Sequence, residues 1–335
     1  MSHWLWLRRR LRRSLRARLG ALILAAIVLP AIFAELVAAD HPVVAFGPGG
    51  LTVLPAVVQG EPASRPDPAT IRQQYAEHVA VWPLIRSGPD SVCEVGPNAG
   101  SSWQHPLGTD AGGRDVAARL LYGTRRALGL TALVLVVALG LGGLLGALAG
   151  YRGGVFDELL ARPTEFIQAF PSVVVVAVVR AIEPEGTLWS LVLAIAAVRW
   201  AEVARLVRAE VARLHEEDFV AAARALGCPR RRIVWRHMAP HAAAPLAVSL
   251  MFAAASIVLL EVAVSFLGLG LPGSLGGLIA DGLTEQGRRV PALWAAALLG
   301  LTVGAVHLLA DALSETLDAR VAATRRRRTW GRLLP

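Results

Sequence analysis

Six long, almost wholly apolar stretches divide this chain, at residues 19–37, 128–149, 166–182, 188–207, 242–267 and 291–313. Crossing roughly 30 Å of hydrocarbon takes about 20 residues of helix, because every backbone N–H and C=O must be bonded within the segment. Each stretch is therefore expected to be a membrane-spanning helix. Composition agrees: 55% hydrophobic content and a mean hydropathy of +0.52 are too apolar for a water-soluble chain of 335 residues. The expected fold class is an all-α membrane protein.

Orientation follows from arginine, since basic loops stay in the cytoplasm. Arg8, Arg9, Arg10, Arg12, Arg13, Arg16 and Arg18 precede the first stretch, a dense group fills 205–236, and Arg320 with Arg325 to Arg328 follows the sixth. Both termini are thus expected inside and residues 40–119, where acids match or exceed bases, outside. Arg125 and Arg126 break the rule at the outer end of the second stretch, where snorkelling to headgroups is the expected resolution. A basic start and a small-residue site at Ala38-Ala39 also fit a cleaved signal peptide, although the apolar run is long for one.

The resulting organisation is a basic N-terminus (1–18), a first transmembrane helix (19–37), an external segment (38–119), a five-helix core (120–315) with a cytoplasmic loop at about 208–241, and a basic tail (316–335). Residues 40–106 hold half of the chain's 20 prolines and only short apolar runs, so an irregular cap is expected there.

Several chemistries are absent. The chain has no lysine, and the phosphate-cradling loop of P-loop ATPases ends in Gly-Lys-Ser/Thr, so it cannot hydrolyse ATP by that route. Cys93 and Cys228 have no metal-ligand or redox spacing and fall on opposite sides of the expected topology, so they do not pair. His237 and His241 stand at i, i+4, but Pro240 interrupts that helix and no third ligand is near. No carboxylate pair or Ser-His-Asp set of catalytic spacing stands out, which disfavours an intramembrane enzyme.

Four separated blocks carry a resemblance: HPLGTDAGGRDVAARLLYGTR from His105, GYRGGVFDELLAR from Gly150, DFVAAARALGCPRRRIVWRHMAPH from Asp218, and VSFLGLGLP from Val264. In order and spacing, residues 103–320 resemble the second permease type of the ABC importers for dipeptides, oligopeptides and nickel. AELVAADHPVV and VWPLI are more similar to the oligopeptide and microcin C branch. The resemblance implies the type I importer permease architecture, six transmembrane helices with a cytoplasmic coupling helix, in a bacterial inner membrane. It further implies a second permease, two ABC ATPase subunits, a periplasmic or lipid-anchored binding protein and membrane lipid as partners, with no nucleic acid. ATP and Mg would be bound by the ATPases, and this chain would need no cofactor. A permease for nickel or another small solute is an alternative. Another is a secondary transporter driven by an ion gradient through Glu202, Glu261 or Asp311, which would need no coupling helix.

The block at 218–241 has physics of its own. Phe219, Ala222, Ala223 and Leu226 fall at i, i+3, i+4 and i+7, a narrow apolar face that needs a partner. Glu216, Glu217 and Asp218 favour a helix start, Arg224 its end, and Gly227 followed by Pro229 a stop. In the resembled family this loop carries the EAA motif, whose helix sits in a groove of the ATPase. The resemblance thus assigns coupling to Asp218, Phe219, Ala222, Ala223, Leu226, Gly227 and Pro240. Ala221 replaces the family's usual Glu, and Ala239-Pro240-His241 its usual Leu-Pro-Asn.

Ionisable residues in or near spans are functional candidates by default: Glu165, Arg180, Glu183, Arg199, Glu202, Glu261, His307 and Asp311. Arg199 and Glu202, three apart, are placed to satisfy each other. Glu261, just before SFLGLG, and Glu202 are the candidates for lining a translocation path. Gly142, Gly146 and Gly150 repeat every four residues, which admits a close helix neighbour in this chain or a partner.

Overall fold

The computed structural model describes residues 14–47, 50–55, 68–76, 78–183, 187–284 and 289–331, with the backbone alone at 68 and 318–331. Arg8, Arg9, Arg10, Arg12 and Arg13 lie outside the described residues, as do the side chains of Arg320 and Arg325 to Arg328. In chain order the elements are α1 (Leu15–Ile32), α2 (Ala34–Val37), β1 (Val44–Gly47), β2 (Gly50–Val53), α3 (Pro68–Gln74) and β3 (Val79–Val81). There follow α4 (Val116–Arg152), α5 (Gly154–Gln168), α6 (Ser172–Ile182), α7 (Leu188–His215) and α8 (Asp218–Ala225). The chain ends in α9 (Arg230–Phe266), α10 (Leu275–Gly282) and α11 (Arg289–Gly331).

Among the described residues, α1, α4, α9 and α11 are long and apolar enough to cross a membrane. The stretch expected as one straight helix at 166–182 is instead broken. α5 ends at Gln168, α6 starts at Ser172, and the two meet at 79°, so together they make a fifth crossing at most. Pro171 explains the break: it has no N–H to give to a helix and biases Phe170 away from helical backbone. α7 is not among these crossing helices, because Arg199, Glu202, Arg205, Arg208 and Glu210 interrupt its apolar run. It is nevertheless buried, with Leu191, Val192, Ile195 and Val203 at most 1% exposed.

The chain forms two compact units. The first comprises Met1–Leu24, Leu130–Leu260 and Thr302–Pro335. α7 is at its centre. A Cβ on Gly142, Gly146 or Gly150 of α4 would collide with the backbone carbonyls of Trp200, Ala204 and Arg208 respectively. The glycine stripe thus serves an internal neighbour, and its four-residue repeat matches a four-residue repeat of contact points on α7. Arg208 of α7 pairs with Asp157 of α5, and the Tyr151 and His215 rings meet edge to face at 5.2 Å.

The second unit comprises Ala25–Gly129 and Glu261–Leu301. Its 40–106 segment is more regular than an irregular cap. β2, β1 and β3 form an antiparallel sheet in that order, and Ala45, Ile71 and Tyr75 form a small core flanked by Ala80 and Trp82. A tight polar knot precedes α4. His105 Nδ1 lies 2.8 Å from Asp115 Oδ2, while Asp115 Oδ1 accepts from Ala118 N at 2.8 Å and so caps the helix. Asp110 accepts from the backbone N–H groups of Gly112 and Arg114 and pairs with the buried Arg119, which also reaches Asp281 of α10 at 3.1 Å. Cys93 is buried beside this knot, and that burial raises its thiol pKa.

Arg125 and Arg126 have partners within the protein. Arg125 pairs with Glu35, and Arg126 donates to the carbonyl of Pro272 and lies 3.9 Å from Asp90. Each cation thus has acceptors on neighbouring segments of the protein.

Candidate functional site

α8 is built on the first unit's core. Val220 (0% exposed) and Ala223 (7%) join Val203, Val207, Val211 and Leu214 of α7 and Ile233, Met238 and Ala242 of α9 in one apolar cluster. Phe219 is half-buried, its ring 4.9 Å from that of His241. The expected outward face therefore divides. Ala223 turns inward, because the chain enters α8 from α7 and leaves it into α9, and both carry the apolar surface that Val220 and Ala223 complete. Ala222 and Leu226 stay exposed, Leu226 at 84%. The exposed stripe is Asp218, Ala221, Ala222, Ala225 and Leu226, one position removed from the expected one.

The end of α8 is closed by a Schellman turn. Cys228 N donates to Ala223 O at 3.1 Å and Gly227 N to Arg224 O at 2.9 Å, with Gly227 at φ +72°. Cys228 packs against the same apolar cluster as Ala223, supplying the hydrophobic contact that accompanies this turn. Pro229 then starts α9, accepting from Arg232 N and Ile233 N. Residues Ile233–Met238 form a π turn just before Pro240. The wider turn accommodates the proline, whose ring would strike the carbonyl of residue 236 in a regular α-helix.

Electrostatics hold the loop's approach. Arg213 bonds Glu210 at 2.6 Å and Glu217, the residue preceding α8, at 3.2 Å. Arg224 contacts the His215 ring. Burial, and secondly the Arg224 cation, lower the His215 pKa, with Glu216 opposing. His215 lies beyond the apolar part of α7 and stays neutral near pH 7.

The remaining candidates are dispersed. Glu202 is half-buried and pairs with Arg199 at 2.8 Å, as their spacing implies, while Arg199 also donates to Ser256 O. Glu261 is 2% exposed and accepts from Ser265 at 2.8 Å. Arg180 is buried and donates to Ser190 at 2.7 Å. Glu165 and Glu183 are exposed, as are His307 and Asp311, with His307 stacked edge-on against Phe252. Among the described residues no three His, Cys, Asp or Glu side chains converge as a metal site. Val220 and Ala225, which complete the inward and outward faces, escaped the sequence reading. A sum of both apolar faces over eight residues would have flagged them, because the helix is apolar on two sides.

Residues 142–323, which include α8 and its supporting helices, match the family described as binding-protein-dependent transport system inner membrane components. The chain belongs to this family. A Brucella suis protein named as a peptide permease is 32% identical over 249 residues, covering 72% of this chain and 82% of its own length. A second Brucella suis protein, named as a peptide transport system permease, is 36% identical over 227 residues, 65% of this chain and 74% of its own. The oligopeptide transport system permease protein OppC of Bacillus subtilis is 29% identical over 231 residues, 66% of this chain and 73% of its own. This inner-membrane component is thus a multi-pass membrane protein, and the exposed stripe of α8 lies inside the matched region.

Proposed function

We propose that this chain is the second-type permease subunit of an ATP-driven peptide importer, forming half of the path and carrying one coupling helix. The observation that carries the coupling role is α8. A short helix anchored inward by Val220 and Ala223 presents Ala221, Ala222, Ala225 and Leu226 outward, exposed among the described residues. Small side chains beside one large one suit insertion into a groove, and an exposed apolar stripe of this kind marks a contact surface. The peptide class is supported by the names of the relatives, the oligopeptide transport permease among them.

In this reading both termini and α8 are cytoplasmic. Two ATPase subunits bind ATP and Mg and close on α8 and its counterpart in a second permease. A binding protein delivers the peptide on the other side, and the helices alternate between outward-open and inward-open arrangements. Glu202 and Glu261 are the residues of this chain proposed to meet the path. The test is reconstitution of the two permeases, both ATPases and the binding protein in liposomes, followed by uptake of a labelled oligopeptide. Uptake is expected only with ATP and all subunits. Uptake driven by a proton gradient without ATP would overturn the reading in favour of a secondary transporter.

A further inference from the structure

The small sheet of the second unit has two apolar faces, and among the described residues only one is covered. Residues paired across antiparallel strands point to the same side. Ala45, Thr52 and Ala80 therefore share one face, which Ile71 of α3 and Tyr75 just after it cover. Val44, Phe46, Leu51, Val53, Val79 and Val81 share the other. On that face Phe46 is 62% exposed, Leu51 64%, Val53 50%, Val79 79% and Val81 62%. A water-facing side of an antiparallel sheet alternates to polar residues, and this one does not. Five exposed apolar side chains, with the half-buried Val44 between them, make a patch on the order of the few hundred Å² that marks an interaction site.

What the face meets follows from where the sheet is tied. Ile85 N donates to Val37 O at 2.9 Å, Ala39 N to Ile85 O at 3.1 Å, and Val43 N to Val81 O at 2.7 Å. The sheet is thus stitched to α2, directly after the membrane-crossing α1. Leu29, Ile32, Phe33 and Leu36 at that end are 43–55% exposed, the side chains that an α1 in a bilayer turns to lipid. None of the six sheet residues carries a charge or a hydrogen-bonding side chain, so acyl chains suit them. β2 and β3 are the outer strands of the described sheet, and the edge of such a strand needs water or headgroups. We propose that this sheet face docks on the lipid bilayer, lying at the headgroup–acyl boundary of the leaflet reached by the C-terminal end of α1, as an amphipathic interfacial element.

The test places the photoreactive residue p-benzoylphenylalanine at Phe46, at Val79, or at Gln73 of α3. The full chain is irradiated in nanodiscs of phosphatidylcholine and phosphatidylglycerol and analysed by mass spectrometry. Lipid adducts are expected at Phe46 and Val79, with loss of the adduct at Gln73. Cross-links from Phe46 and Val79 to polypeptide instead of lipid would overturn the proposal, whether to residues 56–67, a second copy or an added binding protein. So would adducts no more abundant than at Gln73. Neither ATP nor peptide enters the experiment, so its failure is distinct from failure of the importer reading.

Discussion

Leu226→Asp is the most informative single change, because Leu226 is 84% exposed and its loss leaves the folded loop almost unaltered. Surface substitutions of this kind stay within about 0.5 kcal/mol of stability. In a groove the balance differs. Full burial of a leucine side chain is worth about 1.5–3 kcal/mol, and most of this side chain's surface remains available for it. Losing that contact therefore weakens binding by roughly 1.3–2.5 kcal/mol, or about 10- to 60-fold. The buried carboxylate adds a desolvation cost, so these values are a floor. The assay titrates ATPase subunits onto the permease pair in nanodiscs and reads Kd, with the melting temperature of each variant in parallel. Val220→Asp provides the contrast: its side chain is wholly buried, so the charge enters the cluster with Val203 and Ile233 and lowers both melting temperature and binding. Wild-type affinity for Leu226→Asp would refute the outward stripe as the docking surface, and a wild-type melt for Val220→Asp would refute the inward anchor.

Gly146→Leu drives a side chain into the α7 backbone at Ala204 and is expected to cost about 1–3 kcal/mol, read as a lower melting temperature in detergent; Gly140→Leu, where a Cβ meets nothing within 4 Å, serves as the neutral control. Gly227→Val penalises the φ of +72° by about 1–2 kcal/mol and loosens the Schellman turn, so peptide-stimulated ATP hydrolysis by the assembled complex should fall while the helices stay folded. Arg119→Ala removes one of the two guanidinium partners of the buried Asp110 carboxylate, which keeps Arg114 at 3.1 Å, and should destabilise by about 1–3 kcal/mol, whereas Asp281→Asn, at the exposed end of the same network, should cost at most about 1 kcal/mol in the same thermal assay. Because the folded His215 pKa lies below the ordinary 6.5, the unfolded chain binds the proton first, and this group's contribution is present above about pH 6.5 and lost as pH falls through that range; hydrogen exchange in α8 should quicken accordingly, and less so in Arg224→Gln.

Long-range order was legible wherever one physical signal dominated. Apolar length marked α1, α4, α9 and α11, and Gly227 with Pro229 marked the end of α8, because only glycine takes φ +72° cheaply there. The i, i+3 spacing of Arg199 and Glu202 sufficed for their ion pair. Where two signals competed, the sequence was ambiguous. Residues 166–182 are apolar throughout, and their hydropathy masked the break that Pro171 imposes. Arg125 and Arg126 found acceptors at Glu35 and Pro272, far away in the chain, which no local pattern encodes. The sheet at 44–81 was hidden by the prolines around it, since its strands are only three or four residues long.

The same ambiguity explains α8. Its eight residues include four alanines, which add almost nothing to a periodicity argument, so the inward face is decided by the neighbours. Those neighbours also determine what α8 can transmit. The cluster holding Val220 and Ala223 contains the last turns of α7 and the first of α9, and α7 is in turn locked to α4 by backbone-close contact at Gly142, Gly146 and Gly150. Close-packed interiors yield by shifting between discrete arrangements and resist smooth deformation. A displacement of α8 is therefore carried into α7 and the adjoining half of α4 as one body. The hydrogen-bond ladder of α9 is irregular at the π turn Ile233–Met238 ahead of Pro240, which makes that turn the place where α9 is expected to bend. In the proposed coupling role, a push on the exposed stripe would thus move α7 with α4 and flex α9 at that turn, which would give the loop a route to the spans.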